Sequence, residues 1–287
     1  MWVDKIKSNK YLILALLIGA ILRFGFIIFG AEVYFNRPNI FIDGDTWAWQ
    51  NCIENLINKG EFNVGGENGQ FSRMPGYPYF MGIFYLLCNK NWEIAIPAIC
   101  WTQTILDIFC IYLMYLLALK IFKKQKIALI AAIIYATYPF IIVWTPVAYA
   151  EQFSIFLVMC ALLFFYKSIE KNNSIVYLVI TGIILALAGL TRPQLIPLAG
   201  ILCFVLLFQS EKLIVNLKNS FIISISFLIV FSIWPLRNYI NHDRFILTKN
   251  ADGFLNWQGD VISFMQFTYA VKSEWDPQYT SIIKNQK

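Results

Sequence analysis

Seven apolar runs divide this chain, at residues 11–29, 94–122, 127–144, 153–166, 174–190, 194–208 and 221–236. They restrict its fold more than any other feature. About 20 apolar residues cross a bilayer as a helix, the form that satisfies every backbone amide without water. Only 14% of the residues are charged, against about a quarter in a soluble domain. The runs predict an all-α polytopic membrane helix bundle of about seven spans in a single domain, residues 1–287. The first run is long for the core of a signal peptide, and no small-x-small site follows it cleanly, so it reads as a retained helix.

The +6 net charge sits mostly in short lysine-rich segments at 5–10, 120–126, 167–171 and 212–218. Basic short loops stay cytoplasmic, so these four segments share the inner side. Glu32 onward, Glu151, Arg192 and the polar tail then share the outer side. This use of the positive charge excludes nucleic acid as a partner and leaves membrane lipid. Six cysteines without a C-x-x-C pair, and a single histidine, His242, give no metal site to assign.

The one long polar insertion, residues 40–79, is a large outer loop. Within it, 45–60 carries Trp47, Trp49, Ile53, Leu56 and Ile57 near helical spacing, with Asp45 or Thr46 as N-cap and Gly60 as C-cap. Its two tryptophans suit an interfacial helix. The segment 77–88 is apolar but short, so it reads as interfacial or re-entrant.

Asp43 and Asp45 are one residue apart at the start of the loop. They can serve as loop charge and helix cap, as a general base at the membrane surface, or as ligands to a divalent cation, which is left unassigned. Arg73 precedes the rigid Pro75-Gly76-Tyr77-Pro78; Arg192 follows an apolar run and precedes a proline; Arg237 closes Trp234-Pro235-Leu236-Arg237. Such arginines suit either lipid headgroups or a phosphate that their planar forks can grip. Glu151 opens a run after a tight turn, where the helix dipole favours it. Asp107 lies inside an apolar run, where a carboxylate needs a partner such as Arg23 or Gln103.

Gly44-Asp45-Thr46-Trp47-Ala48-Trp49, Arg73-Met74-Pro75-Gly76-Tyr77-Pro78-Tyr79-Phe80, Thr191-Arg192-Pro193 and Trp234-Pro235-Leu236-Arg237-Asn238-Tyr239 occur in that order. Together they resemble the GT-C superfamily of membrane glycosyltransferases. The nearest branch is the bacterial group similar to dolichyl-phosphate-mannose protein mannosyltransferases and the lipid A aminoarabinose transferase. Gln103, Glu151 and residues 250–259 fit the same pattern, whereas Trp49 stands where that family often has tyrosine. The resemblance implies sugar transfer from a polyprenyl-phosphate donor to a lipid, glycan or protein acceptor, at the extracytoplasmic face of the cell membrane. It implies Asp45 as the base, with Asp43 second, and Arg73, Tyr77, Glu151, Arg192, Arg237 and Asn238 as substrate-binding residues. It also implies further spans beyond the outer polar segment 237–287, so that the chain is a fragment or a shortened, inactive paralogue. A flippase for lipid-linked sugars is the competing reading. That would call for paired repeats and charges deep in the spans; no repeat is visible.

Overall fold

The computed structural model describes residues 2–66, 69–170, 174–209 and 212–248, the first eight by their backbone only. These residues fall within one unit, Met1–Thr248. The expected contribution of 250–259, and most of the segment 237–287, lie outside the described residues.

Among the described residues the chain is all helical, as expected. α1 (Trp2–Gly25) runs through a π-helical turn, Phe26–Gly30, into α2 (Ala31–Phe35). The outer loop holds α3 (Thr46–Lys59) and α4 (Gly76–Leu87). Then follow α5 (Trp92–Phe122), α6 (Gln125–Thr137), α7 (Pro139–Trp144), α8 (Ala150–Glu170), α9 (Ile175–Thr191), α10 (Ile196–Leu206), α11 (Leu213–Phe231) and α12 (Ile233–His242).

Among the described residues four segments are long and apolar enough to cross a membrane: Lys10–Phe35, Trp92–Phe122, Ala150–Glu170 and Leu213–His242. Gln125–Thr137, Ile175–Thr191 and Pro193–Leu206 are apolar but shorter. Helix length and composition thus support four spans and leave three shorter apolar helices beside them, so the expected count of seven is not confirmed. Leu17, Ile21, Phe29, Ile105, Ile134, Phe204, Phe208 and Ile229 stay exposed on the bundle. In a bilayer such side chains face acyl chains, so their exposure costs nothing there.

The helices pack as neighbours in sequence. α5 meets α1, α6 and α8; α9 meets α8, α10 and α11. One apolar core fills the α1–α5–α6–α8 side, around Ile111, Leu117, Ala132 and Leu163. A second fills the α8–α9–α11 side, around Leu185, Leu206, Ile223 and Phe227, and takes in Phe62 and Met74 of the outer loop.

The run 127–144 is not one helix. Pro139 has no amide hydrogen, and the residue before a proline is driven out of the α region. Tyr138 accordingly takes ψ 112° and the helix restarts at Pro139. The amide that Pro139 lacks is the one that would have bonded the Tyr135 carbonyl. The Tyr138 amide bonds Tyr135 O instead, at 3.4 Å, and the Arg23 guanidinium of α1 adds a donor to Ala136 O at 2.9 Å and to Tyr135 O at 3.5 Å. Its Nε pairs with Asp107 of α5, whose other oxygen accepts from the Tyr135 hydroxyl at 2.6 Å. Arg23 and Asp107 are both fully buried. Asp107 thus has the partner the sequence demanded, and a break that would leave bare carbonyls in hydrocarbon is closed by a neighbouring helix.

Candidate active site

Asn36, in the left-handed region, ends α2 and turns the chain into the outer loop. Arg37 pairs with Asp43 at 3.0 Å. Asp43 O then accepts from the Thr46 amide at 2.9 Å and the Thr46 hydroxyl at 2.7 Å, which starts α3. The turn is tied to the connection before α8: Ala148 N donates to Phe41 O at 2.9 Å, and Thr46 Oγ1 lies 3.2 Å from Ala148 O. Gly44, at φ +39°, passes so close that a Cβ would lie 2.7 Å from the Tyr149 hydroxyl. A side chain there would meet both strain and collision.

Asp45 occupies the N-cap position of α3 but makes no side-chain cap bond. Its carboxylate is turned instead to Arg73 Nη2, at 2.6 Å. The Tyr149 hydroxyl lies by the turn at Gly44, next to Asp45. Burial, then the Asp43 and Asp45 charges, push that phenol up to about 12.

Arg73 is delivered by the start of α4. Pro75 caps that helix and Gly76 begins it. A Cβ on Gly76 would lie 2.5 Å from Thr191 Oγ1 and 2.7 Å from Thr191 N. Only glycine lets the α4 N-terminus touch the α9 C-terminus, and this contact sets Arg73 beside Arg192. Gly76→Ala should therefore destabilise the protein by about 1–3 kcal/mol, the usual overpacking cost. Thermal unfolding in detergent measures it. A variant with an unchanged transition would mean that the two helix ends are not in contact.

Arg192 leaves α9 in an extended conformation, as its position before Pro193 requires. It pairs with Glu151, in the first turn of α8. Burial lowers the Arg192 pKa while the nearby Asp45 raises it and Arg73 lowers it again; an arginine stays charged through such changes. Asp45, Arg73, Arg192 and Glu151 thus form one cluster of two anions and two cations, partly open to solvent, with side-chain exposures from 25% to 56%.

The other expected site residues are placed differently. The Tyr77 ring is 1% exposed, packed on Trp49 and Phe80. Its hydroxyl donates to Gln103 Oε1 at 2.7 Å, and Gln103 Nε2 donates to Tyr149 O at 2.8 Å. Tyr77 therefore supports the cluster from below. Trp49 is buried at 7% and Trp47 is 56% exposed, so only one of the two tryptophans faces outward.

Arg237 makes a separate set of contacts. It donates to Phe62 O at 2.9 Å, Gln70 O at 3.1 Å and Asn238 Oδ1 at 2.8 Å, and it lies over the Phe62 and Trp234 rings. Asn238, fully buried, bonds Ile246 O at 3.0 Å. Buried Cys52 lies within reach of both Arg73 and Arg237. Burial pushes its thiol up to about 12 although both cations lower it, so it is a packing residue.

Sequence reasoning missed Arg37 and Tyr149. Arg37 stands six residues before Asp43 with no motif around it, and Tyr149 is one of 15 tyrosines. Both aspartates of the loop face a guanidinium. Among the described residues no three His, Cys, Asp or Glu side chains gather as a metal site.

A family model described as dolichyl-phosphate-mannose-protein mannosyltransferase matches residues 72–234. No curated protein matches the chain. Two solved structures of the Archaeoglobus fulgidus oligosaccharyltransferase are similar in fold. The apo form matches at a TM-score of 0.61 with 19% identity, over 86% of this chain and 31% of that one. The form tethered by a disulfide to an acceptor peptide with the NVT sequon matches at 0.62 with 17% identity, over 99% of this chain and 38% of that one. The chain thus spans about a third of the length of the structures it matches.

Proposed function

The chain belongs to the dolichyl-phosphate-mannose-protein mannosyltransferase family, within the GT-C membrane glycosyltransferases, and from that premise we propose that it moves a sugar from a polyprenyl-phosphate donor to an acceptor hydroxyl at the outer face of the membrane. The observation that carries this reading is the cluster of Asp45, Arg73, Arg192 and Glu151 at one end of the bundle.

The reaction needs a proton acceptor and fixed positive charge on opposite sides of one anomeric carbon. Arg73 and Arg192 are the cations. Each is held by a carboxylate that a phosphate can displace. A donor phosphate that takes Arg73 releases Asp45 from its 2.6 Å pair. Asp45 then accepts the acceptor hydroxyl proton as that oxygen bonds the anomeric carbon, and the polyprenyl phosphate leaves with the electron pair of the broken C–O bond. The configuration inverts. Arg37 holds Asp43 in the turn, and Tyr77 braces the Tyr149 backbone through Gln103.

An apolar cavity of about 470 Å³ lies among α5, α6 and α8, lined by Met114, Leu117, Ala131, Ile155, Met159 and Leu195 among others. Leu195 and the lining Ser154 are each three residues beyond a charged member of the cluster, Arg192 and Glu151. The cavity has the chemistry for the first isoprene units of the donor.

Arg73→Lys tests the phosphate role. It keeps the charge but loses the planar fork, so donor KM should rise about tenfold or more, while an arginine that only touches headgroups would tolerate the change. Unchanged donor use removes Arg73 from the site. The outer-face expectation is tested at Lys59, exposed at the end of α3. Lys59→Cys, in a background lacking the exposed native thiols, should react with an impermeant maleimide in intact cells. Labelling only after lysis would turn the cluster to the cytoplasm.

A further inference from the structure

The segment 61–72 joins the end of α3 to Arg73, and two helices hold it. α3 bonds it near its start: Asn55 Nδ2 donates to Asn63 O at 2.7 Å, and Asn51 Nδ2 to Val64 O at 3.2 Å. α12 bonds it on both sides of that point. Arg237 Nη2 donates to Phe62 O at 2.9 Å, and Arg237 Nη1 to Gln70 O at 3.1 Å. Phe71, fully buried, meets the ring of His242 edge-on at 5.2 Å between centroids.

These bonds leave Arg237 little to offer a ligand. Nη1 also donates to Asn238 Oδ1 at 2.8 Å, so both of its hydrogens are used. The guanidinium lies 5.7 Å from the Phe62 ring centre and 5.2 Å from that of Trp234, and both rings are buried. A phosphate that took the Arg237 fork would have to displace main-chain carbonyls of the loop. An ionised donor on such carbonyls makes a strong bond.

What the clamp controls is Arg73. Gln70 stands three residues before it. Ser72 closes back on Gly69 O, through its amide at 3.4 Å and its hydroxyl at 2.9 Å. Ser72 O in turn accepts from Arg73 Nη1 at 3.2 Å. A continuous path thus runs from Arg237 through Gln70 and the Gly69–Ser72 turn to the Arg73 guanidinium. The Gly76–Thr191 contact fixes the same residue from the other side. A fork that must meet an anion with both prongs tolerates little displacement, since a shift of about 1 Å can cost about a hundredfold.

We propose that Arg237 is a positioning residue: by clamping Phe62 O and Gln70 O it sets the place at which Arg73 meets the donor phosphate. This role rests on the assignment of Arg73 to that phosphate.

The test uses the full chain in phospholipid nanodiscs. Arg237→Met keeps an apolar stem over the two rings but loses every donor. Peptides covering residues 61–74 should then exchange their amide hydrogens about tenfold faster or more, with α5 and α8 unchanged. The second readout is the affinity for geranyl phosphate, followed by phosphorus NMR. Arg237→Met should weaken it about fivefold or more, and Arg237→Lys, with one nitrogen in place of two, by less. Because Arg237 acts through Arg73, adding Arg237→Met to Arg73→Lys should cost nothing further. Added to Arg192→Lys, it should multiply the loss. Should Arg237→Met fail to fold, Arg237→Lys carries the same cycle. Unchanged exchange in 61–74 overturns the clamp. Losses that multiply with Arg73→Lys also overturn the proposal, since they would make Arg237 a separate contact or a general support. The donor assignment fails on different evidence: wild-type protein that does not bind geranyl phosphate, or Arg73→Lys that binds it normally. Either result removes the positioning role with it, even where the exchange data show the clamp.

Discussion

Asp45→Asn is expected to lower sugar transfer by about a hundredfold or more, because a carboxamide keeps the shape of the side chain but cannot take a proton. The variant should fold and insert normally. Its amide oxygen can still accept from Arg73, and Asp45 contributes no cap bond to α3 that could be lost. Assay with a polyprenyl-phosphate sugar and single-turnover conditions would separate chemistry from donor binding. Asp43→Asn is the control. Asp43 is tied to Arg37 at 3.0 Å, away from Arg73, so its loss should act through the turn and cost less. The reverse ranking would move the base to Asp43. Full activity in both variants would reject a carboxylate base in this loop.

Asp107→Leu is expected to have the largest effect on stability, on the order of 3–5 kcal/mol, because it strands the Arg23 cation in the bundle. Arg23→Leu together with Asp107→Leu should recover part of the loss, since an apolar pair needs no desolvation. Recovery should remain incomplete. The Ala136 carbonyl loses its Arg23 donor, at about 1–3 kcal/mol for a group left bare, while Tyr135 O keeps the Tyr138 amide. Unfolding midpoints and the yield of monodisperse protein for the three forms would show the order wild type, double variant, single variant. Wild-type stability in Asp107→Leu would mean that Arg23 finds another counter-charge.

The helical character of the chain was legible because hydrocarbon tolerates so few alternatives, and each apolar run corresponds to helix. The number of spans is not confirmed, because run length and helix length differ. Residues 127–144 read as one apolar run, yet they fall in two helices, Gln125–Thr137 of 13 residues and Pro139–Trp144 of 6. The three arginines at run ends looked alike in sequence. What separates them is tertiary: the Gly76–Thr191 contact brings the segments of Arg73 and Arg192 together, while Arg237 bonds Phe62 O and Gln70 O and lies over Trp234. The spacing of apolar residues in α3 identified a helix but could not say that Ala48, Trp49, Cys52 and Ile53 form the buried face and Trp47 the open one. Tyr149 carried no signal, since its place beside Gly44 depends on a tertiary contact rather than on a motif.

The Arg23–Asp107 pair also orders events in time. Its partners are 84 residues apart. Ribosomes add about 5–20 residues per second, so α1 is made several seconds before α5 exists. Through that interval Arg23 sits midway along the Lys10–Phe35 segment with no carboxylate to meet it, at a cost of about 2.5–3.5 kcal/mol for an arginine at the centre of an inserting helix. The apolar surplus of α1 must carry that cost alone, or α1 must wait beside the insertion machinery until α5 and α6 arrive. A nascent chain arrested before Asp107 would therefore hold α1 loosely in the bilayer, and one arrested after Tyr135 would hold it fast.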